Sequence, residues 1–334
     1  MGLREYVIRR SVYLFYLIII VTAFNFFMFR IASFMFGITP VNLMIGGLKE
    51  NLNPEKIAQL YRDFGLVQNP TAADWIWMFV LYMRNTLSGN FGRSIYSKNL
   101  VIDEIMWRLP NTLLLMGTAA LISISLGIWL GVRVARNPGS KGDVAAITVS
   151  LFLYSLPIFW FGLMLLMIFG YYIPLFPLFG TMSKPPPSNP LLFALDVLWH
   201  LTLPATALGI GGFGGYFLYM RSNLIDVMTE DYILTARAKG LDEHTVLYKH
   251  AMKNAMLPMV TIIALTIAGL VGGATLTETV FNWYGLGRYI FDSLVLLDYP
   301  VVQAIFFIMS ILTVLANFAA DLLYGVLDPR IKYS

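Results

Sequence analysis

Cysteine is absent from all 334 residues, which excludes disulfides, thiolate metal sites and cysteine nucleophiles outright. Histidine is scarce: His200, His244 and His250 are the only three. His244 and His250 are six residues apart, a spacing that does not share a helix face, and His200 lies in a distant segment, so no zinc site is expected. Charge is scarce as well, at 13% of residues, where a soluble domain carries about a quarter. The sequence contains no HExxH, no GxSxG and no GxxxxGK[ST], so nothing in it reads as a zinc hydrolase, a serine hydrolase or a cradle for ATP phosphates. The two-glycine turn GLGR at 285–288 is not expected to bind phosphate. The net charge of +4 is spread over loops rather than gathered into a basic block, which argues against nucleic acid as a partner.

What the chain does have is apolar length. Hydrophobic residues make up 58% of it and the mean hydropathy is +0.70. Six runs reach the roughly 20 residues that a bilayer crossing needs: Ser11–Phe29, Thr112–Val132, Val144–Tyr172, Val197–Met220, Ala255–Thr277 and Val301–Ala320. None contains a formally charged residue. The first run follows Arg4, Arg9 and Arg10 but is too long for a signal peptide and has no small-residue cleavage site after it, so it reads as a retained anchor. The expectation is an all-α polytopic membrane protein of six transmembrane helices.

Basic residues set the orientation. With the N-terminus inside, segments 1–10, 133–143, 221–254 and 321–334 are inside and hold 3, 3, 5 and 2 of them. The short outside loops 173–196 and 278–300 hold one each, Lys184 and Arg288. Segment 30–111 holds eight, but long loops cross largely regardless of charge. The reading divides the chain into an inner N-terminus 1–10, a first span 11–29, an outer helical segment 30–111, a core 112–320 and an inner C-terminus 321–334.

The outer segment carries helix signals. Asn53-Pro54 reads as a cap with proline at the first helical position, and Gly65 ends the helix Glu55–Phe64. A second helix is expected over Thr71–Leu87, rich in aromatics, and a third over Asn99–Arg108 leading into Pro110. Such a segment makes a small cap on the membrane face, which is compatible with a wall for receptor docking or solute entry. Small residues four apart at Gly127/Gly131, Gly211/Gly215 and Gly269/Gly273 permit close helix approach, and Pro157 and Pro204 are expected to kink their spans.

The most informative stretch is the inner segment Arg221–Asn254. It holds ten charges, five of each sign, so it is solvated without being a polybasic lipid anchor. Asp231–Lys239 is a short helical run, Gly240 a stop, and Asp242 a cap for a second helix with Lys249 and Lys253 near its end. A helix–Gly–helix segment between two spans suits a surface that something soluble grips. The flanking fourth and fifth spans should move with it, so Phe213, Gly214, Gly215, Tyr216 and Glu278 are candidates for lining or gating a passage. Glu278, at the outer end of the fifth span, is either a solvated end residue or a group that meets a solute amine. Proton or sodium coupling normally requires ionisable groups inside the membrane, and Glu278 and Asp321 sit only at span ends. The residues describe a transporter or channel subunit without its own energy source.

Ordered blocks along nearly the whole chain then give a family resemblance. DYILTARAKGLDEHTVLYKHAMKNAMLP at 231–258 resembles the coupling-helix motif of permeases of the peptide/nickel branch of ABC importers. So do RLPNTLLL at 108–115, GNFGRS at 89–94, ETVFNWYGLGRYI at 278–290, DYPVVQ at 298–303 and DLLYGVLDPRIK at 321–332. The long outer segment after the first span is similar to the B-type subunit of the oligopeptide/dipeptide systems. The Glu-Ala-Ala that usually opens the motif falls on Leu234-Thr235-Ala236, a departure shared with the peptide branch. The resemblance implies a type I importer permease fold and a complex with a second homologous permease, two ABC ATPases that bind ATP and Mg, and an extracytoplasmic solute-binding protein. The chain itself would hold no cofactor and catalyse nothing, in the cytoplasmic membrane of a bacterium or archaeon. It implies that Tyr232, Thr235, Ala236, Arg237, Ala238, Lys239, Gly240, Leu241 and Asp242 form a rigid knob seated in an ATPase groove. Members of the branch carry di- and oligopeptides, nickel chelates, glutathione and, in some organisms, oligosaccharides. An ATP-independent secondary transporter or channel is the reading from a different class.

Overall fold

Four of the six apolar runs lie within single helices longer than themselves, the third is split between two helices, and the fifth leaves its long helix at Gly269. The computed structural model describes residues 3–47 and 53–327. The elements are α1 (Glu5–Met35), α2 (Pro40–Gly47), α3 (Pro54–Asp63), α4 (Ala72–Leu87), α5 (Val101–Ala135) and α6 (Lys141–Ser155). They continue with α7 (Ile158–Tyr172), α8 (Pro190–Met228), α9 (Asp231–Ala238) and α10 (Glu243–Gly269). The last three are α11 (Thr275–Val280), α12 (Leu286–Val295) and α13 (Tyr299–Leu327). Among the described residues the only β pairing is an isolated bridge between Arg93 and Leu100. The end of the DLLYGVLDPRIK block, from Asp328, lies outside the described residues.

Five helices, α1, α5, α8, α10 and α13, are long and apolar enough to cross a membrane. The third expected span is instead the pair α6 and α7, bent by 97° at the break, and six crossings result if that pair counts as one. The physical cause is Pro157. It lacks a donor and forces its predecessor out of the helical region; Leu156 sits at φ −72°, ψ 136°. The expected kink is therefore a full break. Pro204, by contrast, lies inside the uninterrupted α8. Many side chains on the long helices, such as Leu121 and Phe152, face outward and apolar, which lipid tolerates and water does not.

The chain forms two compact units, one of residues 1–109 with 289–334 and the other of residues 110–288. In the first, α1 and α13 run antiparallel. Tyr6 Oη donates to Asp321 O at 2.9 Å and Arg10 pairs with the Asp321 carboxylate at 3.0 Å. At the other end Ser33 Oγ and Tyr299 Oη lie 2.6 Å apart. Asp321 is thus an ion-pair anchor between helix ends. Helices α2, α3 and α4 cover the end of α1: Phe26, Val41, Tyr61, Leu66, Met78 and Tyr82 form one core. α3 starts at Pro54 under the Asn53 cap, and Thr71 and Asp74 close a capping box on α4, as the sequence signals require. The separate helix expected over Asn99–Arg108 is instead the first part of α5, which continues through Pro110. A mid-helix proline costs about 3 kcal/mol. The helix is clamped directly after it: Trp283 Nε1 donates to Asn111 O at 2.9 Å and Asn111 Nδ2 donates to Tyr284 O at 2.8 Å.

In the second unit α8 is the central helix. It packs on α6, α7 and α10, and its backbone touches α5 where glycines allow it. A Cβ on Gly127 would lie 2.6 Å from Tyr216 Cβ and one on Gly131 would lie 2.9 Å from Met220 Cβ. Ser123 Oγ, one turn away, donates to Gly209 O at 2.8 Å. Of the three glycine pairs, only this one is a close approach at both positions; Gly215 and Gly269 face open space. An ion pair on a buried carboxylate fixes the last third of α8 to the start of α6. Arg221 Nε and Nη2 donate to the two Asp143 oxygens at 2.5 and 2.6 Å, and Gly139 N–H adds a third donor at 2.8 Å.

Candidate functional site

The loop between the fourth and fifth spans is shorter than the charge pattern suggests. α8 extends to Met228 and α10 begins at Glu243, so the fourteen residues 229–242 carry the connection, with α9 at their centre. α9 is eight residues long, too short to persist in water by itself. Its stability comes from one buried stripe. Ile233 and Ala236, three apart, insert among Met220 and Leu224 of α8, Val132 and Ala135 of α5, and Val246, Leu247 and Ala251 of α10.

The stop after α9 is a Schellman motif. Gly240 N–H donates to Arg237 O at 2.9 Å and Leu241 N–H to Ala236 O at 3.4 Å, satisfying the last carbonyls of the helix. Gly240 sits at φ +74°, where a side chain is disfavoured. The next helix is capped at once, because Asp242 Oδ1 accepts the Thr245 N–H at 2.9 Å. That amide holds the Asp242 carboxyl below the usual carboxylate range. Arg237 Nε donates to Glu243 Oε1 at 2.9 Å, with Nη2 to Oε2 at 3.3 Å, bridging the two helices. Asn254 Nδ2 donates to Tyr232 Oη at 2.7 Å and ties α9 to α10 from the other side.

The structure places Tyr232, Thr235, Ala236, Arg237, Ala238, Lys239, Gly240, Leu241 and Asp242 in one helix and the turn that closes it, but divides them into a front and a back. Ala236 is buried within the chain and supports the helix from behind; the others are exposed. Two apolar side chains on the front stand out, Leu234 at 54% exposure and Leu241 at 38%. Leu234 was not among the residues expected to make contact. Its outward position is legible in the spacing: once Ile233 and Ala236 turn inward, Leu234, Thr235 and Ala238 must turn outward. Glu243, the partner of Arg237, also lay beyond the expected set.

The candidate passage residues do not form one cluster. Phe213 and Gly214 are buried, and a Cβ at Gly214 would stand 3.0 Å from Ser150 O on α6. Gly215 faces open space, and Tyr216 Oη meets Thr266 Oγ1 of α10 at 2.5 Å. Glu278 is 0% exposed, so it is not the solvated end residue that its position suggests. Its Oε1 accepts from Thr112 Oγ1 at 2.9 Å, and its Oε2 from the Arg288 N–H at 2.9 Å. The GLGR turn wraps this carboxylate, with the first-turn amides of α12 pointed at the carboxylate and at Thr112 Oγ1. Gly285 has no room for a side chain, since a Cβ there would collide with Glu278 and Thr112. The turn thus holds a carboxyl group supplied by the chain itself. His200 is likewise committed internally, with Nδ1 2.8 Å from Asp196 O. Among the described residues no three His, Asp or Glu are grouped to hold a metal ion.

Two family descriptions match the sequence. Residues 108–333 match the binding-protein-dependent transport system inner membrane component, and residues 3–116 match the N-terminal part of binding-protein-dependent transport system membrane components. The oligopeptide transport system permease protein AppB of Bacillus subtilis (strain 168) is 41% identical over 256 residues, covering 76% of this chain and 80% of the relative. The dipeptide transport system permease protein DppB of Escherichia coli (strain K12) is 38% identical over 312 residues, covering 88% and 90%. The glutathione transport system permease protein GsiC of Escherichia coli O1:K1 / APEC is 34% identical over 252 residues, covering 75% and 78%. With its membrane-length helices and its helix–Gly–helix loop, this multi-pass chain belongs to the binding-protein-dependent transport system inner membrane component family, as a B-type ABC importer permease of the oligopeptide/dipeptide branch.

Proposed function

We propose that this permease moves di- or oligopeptides into the cell, driven by ATP that partner subunits hydrolyse. The observation that carries the reading is the front of α9: a Schellman-closed helix and turn that present Leu234 and Leu241 to solvent among charged and polar side chains. Exposed apolar side chains on a short helix held from behind by a buried stripe suit a socket in a soluble protein. The relatives named for oligopeptide and dipeptide transport supply the solute class.

In this reading two ABC ATPases bind ATP and Mg and grip the α9 segment of this chain and that of a second, homologous permease. An extracytoplasmic binding protein delivers the solute to the outer segment 30–111, both termini are cytoplasmic, and the membrane is the cytoplasmic membrane. When the ATPases close, α9 moves as a body. Its bonds to α10 through Asn254 and Glu243, and its packing on α8, carry that motion into the two spans beside it. Transmission by packed elements that exchange between two arrangements needs no continuous bending. The chain supplies positioning and a route, with no group that performs a reaction.

The test is purification of the tagged chain in mild detergent. Co-purification of a second permease and two P-loop ATPases, with peptide-stimulated ATP hydrolysis when the binding protein is added, is the expected result. A stable homodimer with no ATPase that transports solute down an ion gradient would overturn it.

A further inference from the structure

The outer segment encloses a cavity of about 250 Å³ within the first unit. Its lining is rich in residues that carry hydrogen-bond donors: among the described residues, Arg30, Arg62 and Arg93 line it together with one acidic residue, Asp63. Arg30 is the first charged residue after the apolar run Ser11–Phe29 and sits in a π-helical turn, Phe27–Ala32. Such turns shift the register of a helix and recur at functional sites. Here the turn sends the Arg30 side chain to the protein interior, where Nη1 donates to Phe64 O at 2.5 Å. Its Nε is buried with no hydrogen-bond partner. Gln303, 7% exposed on the facing helix α13, also lines the cavity; it lies beside the Tyr82 hydroxyl, but its Nε2 makes no hydrogen bond of ordinary geometry. A buried donor without an acceptor costs about 1–3 kcal/mol, and an unpaired charge costs more. The groups that pack the outer helices onto α1 do not require this arrangement, because their core is apolar and lies beside it.

We propose that this cavity is a binding site for a phosphate oxyanion, either the headgroup phosphate of an anionic phospholipid or free inorganic phosphate. Donors reach the cavity from four separate stretches of chain, at Arg30, Arg62, Arg93 and Gln303, a spread that suits a tetrahedral anion with several oxygens better than a planar carboxylate. Guanidinium groups hold such oxygens in pairs. The place fits a headgroup. A run of 19 residues spans about 28 Å of helix, so Arg30 stands where α1 leaves the hydrocarbon. The occupant would bridge α1, α3 and α13 and rigidify the outer segment.

The test measures binding and does not depend on transport. The full chain, with whatever subunits accompany it, is placed in nanodiscs of phosphatidylcholine alone or with phosphatidylglycerol, and its melting is followed with and without inorganic phosphate at constant ionic strength. A rise with phosphatidylglycerol only, together with lipid retained in native mass spectrometry, identifies the headgroup. A rise with phosphate in phosphatidylcholine discs identifies the free ion. Arg93→Gln, at the exposed rim, should weaken the response about tenfold in apparent affinity, and Arg30→Gln should abolish it. If neither anion raises the melting temperature, or if both variants respond as the parent does, the proposal is wrong.

Discussion

Thr112 Oγ1 donates to Glu278 Oε1 at 2.9 Å while accepting the N–H of Leu286 at 2.7 Å, so one hydroxyl joins the start of the second span to a turn 174 residues later. The carboxylate, the hydroxyl and two backbone amides satisfy one another inside a site with no exposure. This latch holds the GLGR turn against α11 and keeps the Glu278 side chain without solvent exposure.

A positioning role for Glu278 makes a definite prediction. Glu278→Ala leaves the Arg288 amide and the Thr112 hydroxyl without their acceptor, at on the order of 1–3 kcal/mol for each. The variant should melt well below the parent in detergent. Glu278→Gln keeps one acceptor oxygen and should fall between the two. Neither change should alter the preference among solutes at equal amounts of assembled transporter. A shift in preference between cationic and neutral peptides would show that the side chain meets solute.

Gly240 separates backbone strain from steric crowding. Its φ is +74°, yet a Cβ there would meet nothing within 4 Å. The cost of a substitution is therefore conformational, about 1–2 kcal/mol for most residues and less for asparagine, which tolerates the left-handed region. Gly240→Asn should retain coupled uptake in proteoliposomes. Gly240→Val should assemble but hydrolyse ATP with little uptake. Equal uptake by both variants would remove the turn from the coupling mechanism.

The front and back of α9 should fail differently. Leu234→Asp alters an exposed side chain and should leave the stability of the isolated chain within about 0.5 kcal/mol of the parent, while sharply reducing recovery of ATPase subunits in a pull-down. Ala236→Leu forces three more carbon atoms into a filled stripe and should destabilise the chain by about 1–3 kcal/mol. Loss of ATPase in both with unchanged melting in both would contradict the division.

Gly127 and Gly215 make a matched pair for the packing of α5 on α8. Gly127→Ala places a methyl group 2.6 Å from Tyr216 Cβ and 2.9 Å from Phe213 O, and should cost about 1–3 kcal/mol. Gly215→Ala meets nothing within 4 Å and should be neutral or slightly stabilising, because alanine favours helix. Thermal unfolding in one detergent compares them directly. A penalty at Gly215 would point to a second arrangement in which that face closes.

The absence of cysteine permits a clean topology measurement. A single cysteine at Lys56 should react with a membrane-impermeant maleimide from outside, and one at Lys239 only after the membrane is opened. Labelling of both from the same side would break the proposed arrangement.

Local chemistry alone determined much of this protein. Apolar runs mark the long helices because a bilayer crossing depends on length and composition, not on any distant partner. Asn53, Thr71, Gly240 and Asp242 mark helix ends because a cap or a left-handed turn is satisfied by residues one to five positions away. The ordered motif blocks name the family for the same reason. Tertiary structure decided what distance in sequence conceals. Pro110 and Pro157 look alike in sequence, yet one lies within a continuous helix clamped by Trp283 and the other breaks its span by 97°. Glu278 looks like a solvated end residue and is fully buried, because Thr112 and the GLGR turn close around it. Ala236 belongs to the motif but faces inward, and Arg30 belongs to no motif yet stands in a cavity of donors. Burial of a polar group depends on partners that folding brings together, and that is why it could not be read along the chain.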